Sequence, residues 1–190
     1  MTMNQTHTTT LKTPIATVYK ALRLWGHEAM GLPMEKLLRA WQNNQPAPFP
    51  YPFAYFSIIS IKRDSTNHSG FSINPLTGKG EGTQEALMTL TVQLDIYGPE
   101  AMDLAQAAML HFRSPLAVDF FKPYGIAPTN ITSPFMLTAN RDEKGNWGER
   151  STQRLNFSFT NSIRYSEDYF TDPELEVTNS EILPEEEEGD

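Results

Sequence analysis

One uninterrupted run of alternating residues limits what this chain can fold into. Between residues 86 and 96, apolar side chains occupy every even position, and polar side chains occupy positions 89, 91, 93 and 95. A period of two is typical of a strand that buries one face. Leu87 is the one apolar residue out of phase. The chain is therefore expected to build a sheet with one side turned towards a core.

A helical pattern follows this strand. Pro99 suits the first position of a helix, and Glu100 suits the positive end of its dipole. Ser114 and Pro115 repeat the start signal for a shorter helix over 116–122, which Pro123 ends. The longer helix carries an apolar stripe that is predicted to lie on the sheet: Ala101, Leu104, Ala105, Ala108 and Phe112, widened by Met102 and Met109.

Two more helices are predicted near the N-terminus, after a flexible arm over residues 1–12. The first starts at Thr13 and Pro14 and ends at Gly26 or Gly31, and the second starts at Pro33. Each has an apolar face with a tryptophan that we assign to the core: Ile15, Val18, Leu22 and Trp25 in the first helix, and Met34, Leu37, Leu38 and Trp41 in the second.

The remaining strands follow from composition and alternation. Four prolines make 43–52 an extended connector, and the apolar run 53–61 suits a central strand covered on both faces. Residues 131–138 alternate with Ile131, Ser133, Phe135 and Leu137 on one face, and Pro134 indicates an edge strand. A turn over 140–148 joins it to a strand over 153–165, and the two are predicted to form an antiparallel hairpin.

Together these elements predict an α+β fold, an α/β sandwich whose mixed, largely antiparallel sheet has helices packed on one face. At 190 residues the chain suits one domain, which we place at 13–170. The glycine-rich stretch 64–83 is expected to protrude as a polar loop or hairpin. Its apolar residues Phe71, Ile73 and Leu76 are our hypothesis for contacts with another subunit. The alternative is that the stretch folds back onto its own domain.

Charge and composition exclude several classes of protein. Nine of the 23 acidic residues lie in a C-terminal tail over 171–190, and the remaining 14 meet 15 basic residues, so the body is close to neutral. A neutral body argues against a dedicated nucleic-acid binder. The chain has no cysteine, which excludes disulfides and thiolate metal sites. No apolar run is long enough to span a membrane, and the polar N-terminus predicts a protein made in the cytosol.

No catalytic, cofactor-binding or metal-ligating residue is identified in the sequence. The histidines are widely separated, and the Gly78–Gly82 run lacks the features of a phosphate-binding loop. Asp95, with Glu143 and Lys144, loosely suggests a Mg²⁺-dependent nuclease, but the spacing of the acidic and basic residues does not fit. We interpret Asp95 as part of the polar face of its strand.

The order of several motifs resembles a known family. LTVQLDIYGPEAMDLAQ is followed by FRSPLAVDFF, by Gly125, and then by ERSTQRLNFSF with a tyrosine-rich end. This order is similar to that of the neck or tail terminator proteins of long-tailed bacteriophages. The resemblance covers roughly 51–169, and the gap between Lys62 and Gly82 is longer than is usual in that family.

The resemblance implies a structural virion protein without catalytic residues or cofactors. Such a subunit assembles as a homo-oligomeric ring, with a hexamer expected, at the head-proximal end of the tail, where it stops polymerisation of the tail tube. Its implied partners are further copies of itself, the tail tube protein and the head-tail connector, while genomic DNA passes through the lumen unread and no membrane is involved. Assembly is expected in the host cytoplasm. Two alternatives stay open from the residues alone: a phage-encoded metal-dependent nuclease, and a monomeric adaptor that binds one protein partner.

Overall fold

The computed structural model describes residues 12–40, 51–73, 80–141 and 147–167. Apart from Lys12, the predicted N-terminal arm and acidic tail lie outside these residues, as do Trp41 and Leu76. The elements are helices α1 (Ile15–Met30), α2 (Ala101–Phe112) and α3 (Pro115–Phe121), short 3₁₀ helices at Met34–Lys36 and Lys122–Tyr124, and strands β1 (Leu37–Arg39), β2 (Phe53–Arg63), β3 (His68–Ile73), β4 (Gly80–Tyr97), β5 (Ala127–Ile131), β6 (Phe135–Arg141) and β7 (Trp147–Glu167).

The seven strands form one open, mixed sheet. Its order is β1-β2-β4-β7-β5, with β3 on the β2 edge of β4 and β6 on the β5 edge of β7. Only the β1–β2 pair is parallel. The α+β prediction is confirmed, and so is the hairpin between the last two strands, β6 and β7.

The core lies between the helices and one side of this sheet, which we call the helix side. The even-numbered residues from Leu90 to Ile96 are fully buried there with Leu155 and Phe157 of β7. Trp25 of α1 and Phe112 of α2 meet edge to face, with ring centroids 5.6 Å apart, and Phe112 lies 5.2 Å from Phe157. The predicted stripes of α1 and α2 and the assignment of Trp25 to the core are therefore confirmed.

Helix α1 lies close to the sheet because of Gly26. A Cβ at this position would meet Cζ of Phe56 at 2.9 Å, so only glycine allows this approach. The helix continues through Gly26 and ends at Gly31, whose φ of 67° is left-handed. Of the two predicted stops, Gly31 is the correct one.

The second N-terminal helix is a wrong prediction. Residues Met34–Lys36 make one 3₁₀ turn, and Leu37–Arg39 then pair with β2 as the parallel strand β1. Arg23 of α1 donates hydrogen bonds of 2.8 Å to the carbonyl oxygens of both Met34 and Leu37. Strand pairing and the two hydrogen bonds from Arg23 satisfy the backbone groups of this segment, which helical hydrogen bonds would satisfy in the predicted helix. Leu37 is buried, as it was expected to be on the apolar face of that helix.

The single strand predicted over 131–138 is also wrong, because the chain leaves the sheet around Pro134. Ile131 at the end of β5 pairs with Leu155 on the helix side, whereas Phe135 at the start of β6 pairs with Thr152 on the opposite side. Ile131 is buried and Phe135 is exposed. A proline cannot donate to a strand ladder, so the pairing is interrupted there and the apolar face changes sides.

The strand predicted over 53–61 is covered on both sides only in its first half. β2 buries residues 53, 54, 56 and 57, but every side chain from Ile59 to Arg63 is exposed. β1 pairs only with residues 54–56, and a register shift follows between Ile58 and Ser60. The far half of β2 is thus an edge strand in the part of the chain that the structure describes.

Candidate interaction surfaces

Asp95, the carboxylate that loosely suggested a nuclease, is committed to hydrogen bonds inside the protein. It is 5% exposed and accepts from the Thr152 hydroxyl at 2.6 Å and from Gln93 Nε2 at 2.8 Å. Arg150 Nη2 lies 3.0 Å from the same carboxylate. Asp95 lies on the polar side of its strand, as interpreted from the sequence, and there it joins β4 to β7 across the sheet.

An aromatic cluster lies beside this ion pair, on the side of the sheet opposite the helices. The Phe53 ring stacks on Tyr97 with centroids 5.0 Å apart, and Tyr55 meets Tyr97 edge to face. Burial raises the pKa of both Tyr97 and Tyr55. For Tyr97, nearby Arg150 acts in the other direction and lowers the pKa, whereas Asp95 raises it further.

Among the residues that the structure describes, no group of three or more His, Asp or Glu side chains is placed to hold a metal ion. His111 instead accepts a 3.0 Å hydrogen bond from the Trp25 indole, and its other ring nitrogen lies 3.7 Å from Glu28. These contacts join α1 to α2. Within the same described ranges, no helix is both long and apolar enough to cross a bilayer.

One exposed apolar surface belongs to a long β-arm, which we define as β3 with residues 80–89 of β4 and 158–167 of β7. At ~3.3 Å per residue, this part of β4 extends by about 30 Å. Helix α2 ends at Phe112, which contacts Phe157, and Phe157 pairs with Leu90. The arm therefore begins where the helix layer ends, and the helix side of its strands continues outwards.

The two sides of the arm differ in polarity. Residues paired directly across antiparallel strands share a side of the sheet, so the register assigns each side chain. On the helix side of the arm lie the apolar residues Phe71, Ile73, Met88, Phe159, Ile163 and Tyr165, with Ser69, Gln84 and Asn161 as polar exceptions. On the opposite side lie, among others, Ser72, Glu81, Thr83, Glu85, Ser162 and Arg164, with Leu87 as the apolar exception. The arm is amphipathic.

Glycine 82 shapes the apolar side of the arm. It lies between Phe71 on β3 and Tyr165 on β7, which are its two register partners. A Cβ at position 82 would come within 2.4 Å of Tyr165 Cζ, so the tyrosine ring lies directly over the glycine backbone. The missing side chain allows the ring to lie flat along the arm.

The subunit contacts proposed from the sequence can now be placed. Phe71 and Ile73 lie on the same side of β3, and their side chains are 54% and 51% exposed. Leu76 falls outside the described residues. Ile61, which was not among the proposed contacts, is also exposed on this side of the sheet. Ile61 lies in an apolar run that suits a buried strand, and only the register shows that β1 covers the first half of this run alone.

The helices also carry exposed apolar side chains that the sequence patterns did not single out. Leu110 of α2 and Leu116 and Val118 of α3 are 71%, 63% and 49% exposed. Leu110 lies nine residues after the buried Ala101, which is about two and a half turns at ~100° per residue, so the two side chains point to opposite sides of α2. That spacing was the available signal. Beside Val118 a cleft of about 410 Å³ opens between the α2–α3 junction and β5, lined also by Phe112, Arg113 and Pro128.

These features define a class before they define a family: an α+β protein with exposed apolar side chains on a β-arm, on α2 and α3, and on β6, where Phe135, Met136 and Leu137 are exposed, as expected of a subunit in an assembly. The sequence model of the family described as phage neck terminator protein matches residues 16–185. The chain therefore belongs to the phage neck terminator family, with a structural role in the neck of the virion. No curated protein matches the chain significantly.

Proposed function

We propose that this chain assembles head to tail into a closed ring, a hexamer, at the head-proximal end of the phage tail. Membership of the neck terminator family supports the position in the particle. The observation that carries the proposal of self-association is the amphipathic arm, whose exposed Phe71 and Ile73 lie on the side that is buried elsewhere in the sheet. A projecting apolar surface of this kind is costly to leave in water and marks a contact site.

In this proposal the ring ends the growth of the tail tube and joins it to the head-tail connector. One side of the ring contacts the tube protein and the other contacts the connector, while DNA passes through the lumen without sequence recognition. The nearly neutral body of the chain agrees with this role, because retention of DNA requires many Lys and Arg contacts to phosphates. The protein acts by shape and contact rather than by catalysis.

The subunit interface includes Phe71 and Ile73, with Leu76 at the end of the same stretch. Their strand β3 is an edge of the sheet in the described residues, and its six residues contain no Asp, Glu, Lys or Arg. Protective charges are the usual means of keeping an exposed edge from pairing with another chain. Their absence from β3 favours an edge that is covered in the assembled particle.

Native mass spectrometry and electron microscopy of the purified protein test this proposal. The wild-type chain is expected to give a closed ring, and the double variant Phe71→Ser with Ile73→Ser is expected to remain a folded monomer. Leu87→Ser is the matched control, because Leu87 is an exposed apolar residue of the same arm on its opposite side. A wild-type chain that stays monomeric at all concentrations, or a double variant that still forms rings, contradicts the proposal.

A further inference from the structure

A basic cleft lies between α1 and the turn that leads into β1. Its volume is about 350 Å³, and its charged lining residues are Lys20, Arg23 and Arg39, with no acidic residue among them. Leu24 and Met34 add apolar surface. In the described part of the chain, none of these three cations forms an ion pair. The cleft therefore carries an unbalanced positive charge, which favours an anionic ligand.

The protein holds two of the cations in position. Arg23 donates hydrogen bonds through Nε and Nη2 to the carbonyl oxygens of Leu37 and Met34, which leaves Nη1 for a ligand. The Arg39 guanidinium lies over the Tyr19 ring, 4.3 Å from its centroid, and this contact does not neutralise its charge. A guanidinium binds a carboxylate with two parallel hydrogen bonds, so carboxylates suit the cleft.

The acidic segment 171–190 has the charge that matches this cleft. It contains nine acidic residues and no Lys or Arg, and residues 185–188 are four consecutive glutamates. Ile182 and Leu183 lie just before these glutamates. A segment that joins carboxylates to large apolar side chains complements a cleft that joins guanidinium groups to Leu24 and Met34.

The sheet register shows how far the acidic segment starts from the cleft of its own copy. β7 ends at Glu167, at the far end of the arm, whereas Arg39 is level with Gln153 through the paired strands β1, β2, β4 and β7. From residue 153 to residue 167, β7 extends by roughly 46 Å at the usual rise of a strand. Residues 168–185 span roughly 60 Å when fully extended, so they bring the four glutamates to their own cleft only along an almost straight path. Under the proposed function the arm contacts the next subunit, so the segment begins beside that subunit.

We infer that the acidic segment of one subunit, through residues 181–190, binds in the basic cleft of the next subunit. This inference rests on the proposed ring, and it adds a second contact to the one made by the arm. The segment and the cleft are unlike surfaces, as a head-to-tail contact requires. Once the arm has docked, the tethered segment is at high local concentration, so the two contacts reinforce each other. The contact between charged, exposed groups is expected to weaken as the salt concentration is raised.

The absence of cysteine from the chain permits a direct test by disulfide crosslinking. Ala16 lines the cleft without contributing charge, and its side chain is exposed. The double variant Ala16→Cys with Glu186→Cys is expected to give covalent dimers and larger oligomers under mild oxidation, which a reductant removes. Lys20→Ala with Arg39→Ala in that background is expected to lower the crosslinked fraction several-fold. Leu110→Cys with Glu186→Cys is the control, because Leu110 is exposed on α2 and does not line the cleft, and it is expected to remain uncrosslinked.

Each outcome of the crosslinking decides between the ring and the binding of the segment. A monomer with an internal disulfide shows that the segment binds its own copy, and the inference is wrong. Equal crosslinking of the Leu110 control, or crosslinking that survives removal of the two cations, shows an adventitious contact and also overturns it. If the wild-type chain forms rings but the two cysteines never join, the ring stands and the assignment of the cleft is wrong. If the wild-type chain stays monomeric, the proposed function itself fails.

An exchange of charges tests the same contact without cysteine. Lys20→Glu with Arg39→Glu is expected to raise several-fold the protein concentration at which half of the chain is assembled, as measured by light scattering. Replacing the four glutamates at 185–188 by lysine in the same chain is expected to restore assembly, which a variant with a damaged fold would not show. Lys122→Glu with Arg154→Glu is the matched control, because both side chains are exposed outside the cleft, and it is expected to assemble like the wild type.

The exchange also separates a carboxylate ligand from nucleic-acid phosphate. Failure of the lysine replacements to restore assembly overturns the inference. So does a double-stranded oligonucleotide that binds the wild-type chain and not the Lys20→Glu, Arg39→Glu variant while that variant assembles normally, because the cleft would then bind phosphate and not the acidic segment.

Discussion

Replacement of Asp95 by alanine tests whether this carboxylate serves the fold. The change removes the acceptor for Thr152, Gln93 and Arg150 at once. Thr152 is 3% exposed, so its hydroxyl has little access to water as a substitute acceptor. A buried polar group left without its partner costs about 1–3 kcal/mol.

The contribution of Arg150 must be discounted. Its side chain is 26% exposed, so the guanidinium regains water when Asp95 is removed. Exposed ion pairs contribute about 0–1 kcal/mol, compared with about 3–5 kcal/mol for breaking a fully buried pair. With Thr152 counted fully and Arg150 in part, we expect Asp95→Ala to lower the free energy of unfolding by about 2–4 kcal/mol.

Urea unfolding followed by tryptophan fluorescence measures this loss. The measurement belongs in the Phe71→Ser, Ile73→Ser background, where stability does not depend on assembly and protein concentration. Asp95→Asn is the matched variant, because it keeps the size of the side chain and one acceptor, and it is expected to lose less than the alanine variant. A loss below about 0.5 kcal/mol for Asp95→Ala would refute the reasoning. A Mg²⁺-dependent nuclease activity that Asp95→Ala abolishes would refute it as well.

Three further predictions concern the sheet and its core. Burial raises the pKa of Tyr97 in the folded protein. The contribution of Tyr97 to stability is therefore complete below the ordinary tyrosine pKa of about 10 and is lost as the pH rises through the folded pKa. Tyr97→Phe is expected to lessen the fall in urea midpoint above pH ~10, and an unchanged fall contradicts this. Gln153 is fully buried, and neither side-chain amide atom is hydrogen-bonded in the described structure. Gln153→Met is therefore expected to raise the free energy of unfolding by about 1–2 kcal/mol in the same assay. A loss of stability would show that the amide is hydrogen-bonded in solution. Gly26→Ala is expected to destabilise the protein by about 1 kcal/mol, because crowding against Phe56 exceeds the gain in helix propensity. Phe56→Leu is expected to lower the free energy of unfolding by less in the Gly26→Ala background than in the wild type. Additive losses would exclude crowding as the cause.

The parts of the fold that the sequence predicts well are those with a long period and one buried face. Alternation over 86–96 identifies β4, and the stripe from Ala101 to Phe112 identifies α2 on the same side of the core. Local signals also give the start of α3, since Ser114 and Pro115 are its N-cap and first residue. In each case one local rule and the burial pattern agree.

The errors arise where distant partners decide the structure. Met34, Leu37 and Leu38 have helical spacing, but the edge of β2 and the side chain of Arg23 are nearby and convert the segment to a turn and a strand. Asp95 alternates correctly as a polar residue, yet its burial depends on Thr152 and Arg150 more than fifty residues away. No local pattern contains that information.

The feature most informative about function is the apolar alternation on the helix side of the sheet, which extends beyond the buried core. On the helix side of the sheet, the apolar pattern continues past the buried Leu90 and Phe159, and strands β2, β3 and β7 place Ile61, Ile73 and Tyr165 on that side. Ile61 and Ile73 are about half exposed in the described domain. Folding of the domain alone therefore does not require apolar side chains at these two positions. Under the proposed function, the contacts of this neck protein form on that excess of apolar surface on the arm.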